Sequence, residues 1–507
     1  MVRELLMAVD LGTSFVKSGV YDLNGECIAV ASEAVRDERP APGIFIQHGE
    51  ELVDSVIRCI RKAADQIPDR LKDVEAIAFT GQMAGFMGVD KNWNDVTGWS
   101  CSLDTRFTPY AEKQMKQLSD EFLSISGTNS PLFSTKYEWF KNDYPREADR
   151  IAKYLMISGY VIGKLGEVPI DEAVMDGSFL AWTGLADVKN RSWSEVICEK
   201  LKIPERFLPR ISQSNEIVGH LSKKAAETTG LRSGIALISG AGDKIAGCVG
   251  ANVLKKGDMI FEAASYAGLS CLVDDFRPDY EQRYFDILDG AFPDDLYAHY
   301  YIPGSGITLN WFMDHFARKG EESLREAFAR MDAKVGQIPP GSEGLMAIGM
   351  MGGTAMPFDG ALKGVWMGFN WVHREEHFYR ALQESFSYAV STAIDRINAK
   401  YPDCGQDTVK IIGGGARSRV WTQMLADVSQ KTFERLDRED IALWGACLLA
   451  ADGIGLFGDV RKAAEEHVHV KEVYRPNREL AGRYAELKEQ YNRYAKELSP
   501  YCKALKS

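Results

Sequence analysis

The chain of 507 residues is long enough for more than one hydrophobic core, because single domains rarely exceed about 300 residues. Its composition, 45% hydrophobic and 26% charged, is that of an ordinary folded protein and excludes a disordered or collagen-like chain. The formal charge of −12 argues against a nucleic-acid partner, and no apolar run reaches the ~18 residues that a membrane span needs, so a cytoplasmic protein without a membrane partner is predicted.

The N-terminal region has the pattern of a β-hairpin system followed by alternating helix and strand. Apolar residues 5–9 predict a buried strand, residues 15–21 predict a second one, and Asn24-Gly25 is a strong signal for a hairpin turn. Residues 50–66 have helical periodicity, and residues 74–79 predict another buried strand. This alternation predicts an α/β fold.

The turn between the first two predicted strands is Asp10-Leu11-Gly12-Thr13-Ser14, with Lys17 close behind it. It combines backbone N–H groups, two hydroxyls and a carboxylate, so it can cradle phosphate oxygens while Asp10 holds Mg²⁺ through water. An ordinary β-turn, in which Asp10 and Thr13 satisfy backbone groups, explains the same residues. This segment alone leaves both interpretations open.

A second candidate site follows the predicted strand at residues 235–239. Gly240-Ala241-Gly242 leads from this strand to Asp243, which stands at the beginning of a predicted helix. Asp243 is either a helix N-cap or a general base that the helix dipole keeps ionised and that accepts the proton of a substrate hydroxyl. Spacing alone favours the cap, and both roles are compatible.

An internal repeat appears when Met7–Asp22 is aligned without gaps on Met259–Asp274. Strand, acidic residue, small-residue turn and strand recur in the same order, and Thr13 aligns with Ser265. Two similar domains are therefore predicted.

The predicted first domain covers residues 1–252 and the second covers residues 253–475. Residues 476–507 have apolar and aromatic side chains three or four positions apart, which predicts an amphipathic helix packed on the second domain.

A third candidate site is the run Gly413-Gly414-Gly415-Ala416 after the predicted strand at residues 409–412. Three glycines allow the backbone to approach a flat ligand. The alternative is a tight turn into a helix that Ser418 caps, although capping does not require three glycines.

One metal-like pattern provides a weaker alternative. His373 and His377 would lie on one helix face, as zinc ligands do. The glutamate expected of a zinc protease is displaced by one position and no third ligand is evident, so a metallohydrolase is disfavoured.

Taken in chain order, these segments resemble the FGGY family of carbohydrate kinases. The resemblance covers about residues 5 to 455, and the ordered set of motifs is specific although each motif alone is weak. The matching motifs are DLGTS at 10–14, TGQMAG at 80–85, LDTR at 103–106, GAGD at 240–243, PFDGALKGVWMGF at 357–369, GGGARS at 413–418 and EDIALWGACLLA at 439–450.

The resemblance implies a duplicated actin-like, ribonuclease H-like ATPase fold with two domains around a central cleft. It implies ATP-dependent phosphorylation of a hydroxyl of a small sugar or polyol, with a ketopentose such as xylulose as the expected substrate. A kinase for glycerol or a tetritol and a non-catalytic ATP-binding scaffold are the alternatives, and a homodimer is left open.

The resemblance also assigns roles to individual residues. Asp243 matches the catalytic base, and Asp10 matches the carboxylate associated with Mg²⁺. The implied sugar-pocket residues are Gln82, Met83, Ala84, Asp104 and Asp243. The expected nucleotide-binding residues are Asp10, Gly12, Thr13, Ser14, Lys17, Ser265, Gly413, Gly414, Gly415 and Ala416.

Two positions depart from the family pattern. The second phosphate turn, normally Gly-Thr-Ser, is Ala263-Ala264-Ser265, which predicts weaker ATP binding or an altered turn. Ala84 occupies the position of a histidine in xylulose kinases and a glutamate in glycerol kinases. A polar contact to the substrate is therefore expected to be missing, which leaves the sugar undetermined.

Overall fold

A computed structural model describes residues 4–505, which divide into two compact units. The first unit comprises the chain up to Leu254 together with Ile287–Leu296 and Asp440–Val468. The second comprises Lys255–Asp286, Tyr297–Glu439 and the chain from His469 onward. The predicted continuous domains 1–252 and 253–475 differ from this division, because two later segments pack in the first unit.

The strands, in chain order, are β1 (Leu5–Leu11), β2 (Phe15–Asp22), β3 (Cys27–Ala34), β4 (Val74–Gly81), β5 (Gly85–Val89), β6 (Ser100–Cys101), β7 (Lys153–Leu155), β8 (Val174–Asp176), β9 (Ala186–Asp187), β10 (Ser192–Trp193), β11 (Arg210–Ser212), β12 (Ile217–His220), β13 (Ala236–Ile238), β14 (Met259–Glu262), β15 (Ala267–Val273), β16 (Asp286–Asp289), β17 (Leu296–Ile302), β18 (Met346–Ile348), β19 (Thr354–Ala355), β20 (Phe358–Asp359), β21 (Val365–Met367), β22 (Thr408–Ile412), β23 (Thr432–Leu436) and β24 (Val470–Tyr474).

The α-helices are α1 (Gly49–Ala64), α2 (Thr108–Ser126), α3 (Phe133–Asp143), α4 (Pro145–Ala148), α5 (Ile157–Gly166), α6 (Leu180–Thr183), α7 (Glu195–Leu201), α8 (Lys223–Thr229), α9 (Asp243–Gly250), α10 (Ser305–Phe312), α11 (Leu324–Val335), α12 (Glu375–Lys400), α13 (Arg419–Ser429), α14 (Ile441–Gly453), α15 (Val460–Glu466) and α16 (Ala481–Ala504). A π-helical turn, Met313–Ala317, follows α10. Among these helices of residues 4–505, none is both long enough and apolar enough to cross a membrane.

The first unit is built on a six-stranded sheet with the order β12-β13-β4-β1-β2-β3. β1 is antiparallel to β2 and parallel to β4, and β4 is parallel to β13. Residues Leu5 to Val9 of β1 have no solvent exposure, since β1 lies inside the sheet and α14 packs on it. A continuous apolar run is typical of a strand buried on both faces, which explains why this segment was predictable.

The second unit repeats this arrangement. Its main sheet contains, in spatial order, β17, β15, β14, β22, β23 and β24. β14 is antiparallel to β15 and parallel to β22, β22 is parallel to β23, and β23 is antiparallel to β24. The hairpins β1–β2 and β14–β15 are therefore equivalent, which confirms the predicted duplication of an α/β sheet.

The C-terminal helix α16 belongs to the second unit. Tyr484, Leu487 and Tyr491 on one of its faces are buried. The Tyr484 hydroxyl accepts a hydrogen bond of 3.1 Å from Arg380 of α12, and Lys488 forms an ion pair with Asp395 of the same helix. The aromatic stripe is thus part of the core.

Two helices of the first unit, α9 and α14, pack through glycine. A Cβ atom on Gly445 of α14 would lie 1.8 Å from the carbonyl oxygen of Ala246, and one on Gly250 of α9 would lie 2.2 Å from the carbonyl oxygen of Ile441. The backbones are therefore in direct contact, which no side chain larger than hydrogen permits. Through this contact α14 packs in the first unit, although most of the second unit precedes it in sequence.

We predict that Gly445→Ala lowers the stability of the first unit by about 1–3 kcal/mol, because the added methyl forces the two helices apart. Gly247→Ala in α9 is the matched control, since its Cβ would meet only Ile441 Cγ2, at 3.9 Å. Alanine also favours a helix over glycine by up to about 1 kcal/mol. Differential scanning calorimetry should show a lower melting temperature for Gly445→Ala alone, and equal melting temperatures would refute the tight contact.

Candidate active site

Three parallel strands of the first unit end at the same edge of its sheet. β4 lies between β1 and β13 and is parallel to both. Residues that follow the carboxyl ends of neighbouring parallel strands lie close together and form the usual ligand site of an α/β sheet. The segments at this edge are residues 12–14 after β1, residues 82–84 after β4 and residues 240–243 after β13.

The turn after β1 requires glycine at one position. A Cβ on Gly12 would lie 2.6 Å from the carbonyl oxygen of Phe15, so the chain can reverse there only without a side chain. Asp10 and Thr13 are half-buried, and Ser14 is exposed. The turn therefore has a hydroxyl group that a ligand can reach.

Lys17 lies opposite Asp10 in the β1–β2 hairpin. Its ammonium group is 2.8 Å from the carboxylate of Asp440, the residue that precedes α14. This ion pair gives Lys17 a partner within the first unit, and its predicted contact with nucleotide stays a prediction.

A hydrogen-bonded chain links the segment after β4 to the turn after β1. Trp99 Nε1 donates to Gln82 Oε1 at 3.2 Å, and Gln82 Nε2 donates to Gln47 Oε1 at 3.5 Å. Gln47 Nε2 in turn donates to the carbonyl oxygen of Thr13 at 2.7 Å. Gln47, Gln82 and Trp99 are buried, so these contacts fix which end of the Gln82 amide is the oxygen.

Met83 and Ala84 complete the segment after β4. Met83 is buried against the loop after β13, because a Cβ on Gly242 would lie 2.3 Å from Met83 Cγ. Ala84 is half-buried and precedes Gly85, where a Cβ would lie 2.2 Å from the Trp99 ring. The side chains of Met83 and Ala84 are apolar. Specific hydrogen bonds from residues 82–84 to a ligand must therefore involve Gln82 or the backbone.

Asp104 has a fully buried side chain. Its carboxylate accepts hydrogen bonds from Ser100 Oγ at 2.7 Å and from Arg106 Nε and Nη2 at 2.8 and 2.6 Å. Burial raises the pKa of a carboxyl, but Arg106 and the ammonium of Lys136 outweigh burial and hold the pKa of Asp104 below its usual value. Asp104 supports its neighbours through these hydrogen bonds, and its predicted place in the sugar pocket stays a prediction.

Lys136 lies beneath Asp104 and is fully buried. Its ammonium donates to Ser100 Oγ at 2.7 Å and to the carbonyl oxygens of Cys101 and Asp104 at 2.9 and 3.1 Å. Burial lowers the pKa of Lys136 to about 8, and the nearby Asp104 carboxylate limits that decrease. The Lys136 ammonium therefore has hydrogen-bond acceptors despite its burial, and two of them lie on strand β6.

Asp243 is the first residue of α9, and Gly242 occupies the N-cap position. The interpretation of Asp243 as the N-cap is therefore wrong by one position. Its Oδ1 accepts a hydrogen bond of 2.7 Å from the backbone N–H of Lys244. A carboxylate in the first turn is stabilised by the helix dipole, which is the condition that the general-base hypothesis requires.

In the second unit, the turn Ala263-Ala264-Ser265 keeps the hairpin geometry despite its unusual composition. Glu262 pairs with Gly268 across the hairpin, and the N–H of Ala263 donates to the carbonyl oxygen of Ile412 at 2.9 Å. Gly306 at the start of α10 donates to the carbonyl oxygen of Ala264 at 3.1 Å. Ser265, which carries the hydroxyl of this turn, is exposed. The predicted effect of the turn on ATP binding stays a prediction.

The three glycines after β22 differ in what the fold requires of them. Gly413 has a φ of 90°, and a Cβ there would lie 2.7 Å from the carbonyl oxygen of Ala263. A Cβ on Gly415 would lie 2.5 Å from the ring of Trp421. A Cβ on Gly414 would meet nothing within 4 Å. Gly413 and Gly415 are therefore structural, and Gly414 leaves open space beside the backbone.

Ala416 and Ser418 complete this loop. Ala416 is buried, and its N–H donates to the carbonyl oxygen of Gly413 at 3.2 Å. Ser418 caps α13 by accepting a hydrogen bond of 3.1 Å from the N–H of Trp421, as the alternative interpretation of this loop expects.

The residues present fit a magnesium ion that is shared with phosphate oxygens. Within residues 4–505, no group of three or more His, Cys, Asp or Glu side chains is arranged to hold a metal by itself. Mg²⁺ in phosphoryl-transfer sites usually takes one or two carboxylates, and the phosphates supply further ligands. The half-buried carboxylate of Asp10, next to a tight turn, suits that role.

His373 and His377 have a structural explanation. His377 Nδ1 accepts a hydrogen bond of 3.1 Å from the backbone N–H of Arg374 and so caps α12, and His373 Nδ1 accepts one of 2.9 Å from Asn370. One ring nitrogen of each histidine therefore accepts a hydrogen bond from a nearby backbone N–H group.

Both halves of the chain match models of one protein family. Residues 5–250 match the N-terminal domain of the FGGY family of carbohydrate kinases, and residues 286–453 match its C-terminal domain. The chain belongs to this family. This FGGY kinase is accordingly an ATP-dependent phosphotransferase that acts on a small sugar, which confirms the predicted enzyme class over the scaffold and metallohydrolase alternatives.

Individual relatives support the assignment and differ in their named substrates. The FGGY kinase is 26% identical over 507 residues to the xylulose kinase of Bacillus subtilis (strain 168), with 99% of each chain covered. It is 26% identical over 464 residues to the gluconokinase of the same organism, with 89% of this chain and 88% of the relative covered. The crystal structure of ligand-bound xylulose kinase from Lactobacillus acidophilus aligns with a TM-score of 0.87 over 98% of each chain at 20% identity, which confirms the predicted fold class.

Sequence reasoning missed several residues that hold this site. Gln47 and Trp99 are far from the motifs in sequence, and no local pattern marks them as partners of Gln82. Ser178 also contacts the loop before Asp243, and Asp176 accepts a hydrogen bond from the N–H of Ser178. Their Asp-x-Ser spacing is a signal for a local side-chain turn that could have indicated a structural role.

We predict that Gly414→Val in the FGGY kinase raises the Michaelis constant for ATP by about tenfold or more, because valine fills the open space beside the loop where nucleotide is expected. The Michaelis constant for the sugar and the melting temperature should change little. Gly458→Val is the control, since a Cβ there also meets nothing within 4 Å and the residue has no predicted role. Initial-rate kinetics check this, and equal effects on both substrates would show that Gly414 is only part of a turn.

Proposed function

We propose that this FGGY kinase transfers the terminal phosphoryl group of ATP to a hydroxyl of a ketopentose such as xylulose. The observation that carries the proposal is the convergence of residues 10–14, 82–84 and 240–243 at one edge of a parallel sheet. This edge offers a carboxylate for a proton, a fixed amide for a sugar and a hydroxyl-bearing turn for phosphate. These are the three groups that the reaction needs.

Asp243 is proposed as the general base. Its carboxylate stands in the first turn of α9, where the helix dipole and the N–H of Lys244 favour the ionised form. The carboxylate accepts the proton of the sugar hydroxyl while the hydroxyl oxygen forms a bond to the γ-phosphorus. The bond between that phosphorus and the β–γ bridging oxygen breaks, and ADP leaves.

The phosphate groups of ATP are proposed to contact the tight turn at Gly12, Thr13 and Ser14. Its backbone N–H groups and the exposed Ser14 hydroxyl can donate to phosphate oxygens. A bound Mg²⁺, with Asp10 as its protein carboxylate through water, would neutralise charge on those oxygens. In the second unit, Ser265 is exposed and a Cβ on Gly414 would meet no protein atom within 4 Å, and contacts of these two residues with nucleotide stay predictions.

The proposal of a ketopentose rests on residues 82–84 together with the similarity to proteins named xylulose kinase. Gln82 is held by Trp99 and Gln47, so its amide is oriented before a substrate arrives. Ala84 supplies only a methyl, so a sugar hydroxyl that a histidine at this position could bind must find another partner here. Since a missing hydrogen bond changes preference among sugars strongly, D-xylulose and its close relatives have to be compared directly.

The proposal predicts ATP-dependent phosphorylation in a panel of D-xylulose, other ketopentoses, gluconate, glycerol and tetritols, with a ketopentose giving the highest kcat/KM. Asp243→Asn should lower kcat for that sugar by at least about 100-fold, because an amide cannot accept the proton. Asp459→Asn is the matched control, since Asp459 caps α15 and has no predicted catalytic role.

Coupled measurement of ADP release decides between the parts of the proposal. If Asp243→Asn keeps a tenth or more of the wild-type turnover, Asp243 is not the base. If gluconate or glycerol is the best substrate, the ketopentose assignment is wrong and the kinase mechanism stands.

A further inference from the structure

The loop before Asp243 contains little that could hold it in place by its own side chains. Gly240 and Gly242 have none, and both are forced to be glycine by close contacts. A Cβ on Gly240 would lie 1.7 Å from the carbonyl oxygen of Phe79, and one on Gly242 would lie 2.3 Å from Met83 Cγ. The position of Asp243 therefore depends on hydrogen bonds that the loop backbone makes with other segments.

Ser178 provides the contact at Gly242. The N–H of Gly242, the residue directly before Asp243, donates to Ser178 Oγ at 2.9 Å. Ser178 is 1% exposed, so this bond is not in competition with water. Its hydroxyl donates its own proton to Asp176 Oδ1. Because that proton is engaged, the oxygen lone pairs of Ser178 point to the Gly242 N–H.

Asp176 also holds the other end of the loop. Its second oxygen, Oδ2, accepts a hydrogen bond of 2.8 Å from the hydroxyl of Ser214. The carbonyl oxygen of Ser214 accepts one of 2.9 Å from the N–H of Gly240. One carboxylate therefore fixes two serines, and the two serines fix the first and last residues of the Gly240–Gly242 loop.

Asp176 has a buried carboxyl group. It is 2% exposed, and burial raises its pKa to about 6, against hydrogen bonds from Ser178 and Ser214 and the positive charge of Arg191, which lower it. The hydrogen bonds and Arg191 thus favour the carboxylate form, which accepts all of these bonds. Arg191 lies against Gly177, where a Cβ would be 2.8 Å from its guanidinium, and so supplies nearby positive charge.

We propose that Asp176 and Ser178 are positioning residues that clamp the Gly240–Gly242 loop and thereby set the direction of the Asp243 carboxylate. The inference rests on the proposed role of Asp243 as general base. Neither residue needs to touch a substrate. A displacement of the base by about 1 Å is enough to lower turnover strongly, because proton transfer requires hydrogen-bond contact in the transition state.

The first test is Ser178→Ala, assayed with ATP and the sugar that gives the highest kcat/KM in the panel. We expect kcat to fall by about tenfold or more, because the Gly242 N–H loses its acceptor, while the Michaelis constant for ATP changes less than about twofold. Ser126→Ala is the matched control, since Ser126 is a fully buried serine of the same unit that donates to the carbonyl oxygen of Ala186 at 2.7 Å. The control should lower the melting temperature comparably and leave kcat unchanged.

The second test is a double-mutant cycle with Asp176→Asn. The single variant should lower kcat at least as much as Ser178→Ala, and the double variant should be no slower than Asp176→Asn alone, because both residues act through one loop. Additive losses, or a Ser178→Ala variant with wild-type kcat, would overturn the clamp. If both single variants fail to fold, Asp176 and Ser178 are stability residues and the inference is also wrong.

Asp243→Asn in the same assay separates the two proposals. An active Asp243→Asn variant refutes the base assignment whatever the serine variants do. An inactive Asp243→Asn variant beside a fully active Ser178→Ala variant refutes only the clamp.

Discussion

The parallel pairing of β4 with β1 on one side and β13 on the other is the constraint on which the site depends. It brings residues 12–14, 82–84 and 240–243, which are distant in sequence, to one edge, so that the turn after β1, the segment after β4 and the Asp243 carboxylate become neighbours. A slip of one residue in either pairing would turn alternate side chains to the opposite face of the sheet. The register of the backbone hydrogen bonds therefore determines which residues lie at this edge of the sheet.

Glycine has a separate function at each point where two backbones meet in this kinase. Gly445 lets α14 contact α9 and so joins a distant part of the chain to the first unit. Gly240 and Gly242 let the loop before Asp243 lie against β4 and Met83. Gly414 differs from all of these because no protein atom lies near its missing side chain. Only such a glycine indicates space for a ligand rather than a packing contact.

Much of the fold and the outline of the site could be predicted from the sequence, because apolar strands, the repeat and the ordered motifs are local signals. The return of residues 440–468 to the first unit could not, since glycine packing between distant helices has no sequence periodicity. The N-cap was misplaced by one residue at Asp243, because Gly and Asp are both accepted there. The contacts of Asp104 with Lys136 and of Asp176 with Ser214 could not be predicted either, because these partners are 32 and 38 residues away in sequence.

In the proposed mechanism, Asp243 receives a proton from a sugar hydroxyl at the carboxyl edge of the first sheet. The most direct measurement is a crystal structure of the kinase with ADP, Mg²⁺ and the best sugar of the panel. The account predicts a sugar hydroxyl within about 2.6–3.2 Å of an Asp243 carboxylate oxygen and the sugar beside Gln82. A sugar bound away from this edge, with no hydroxyl near Asp243, would contradict it.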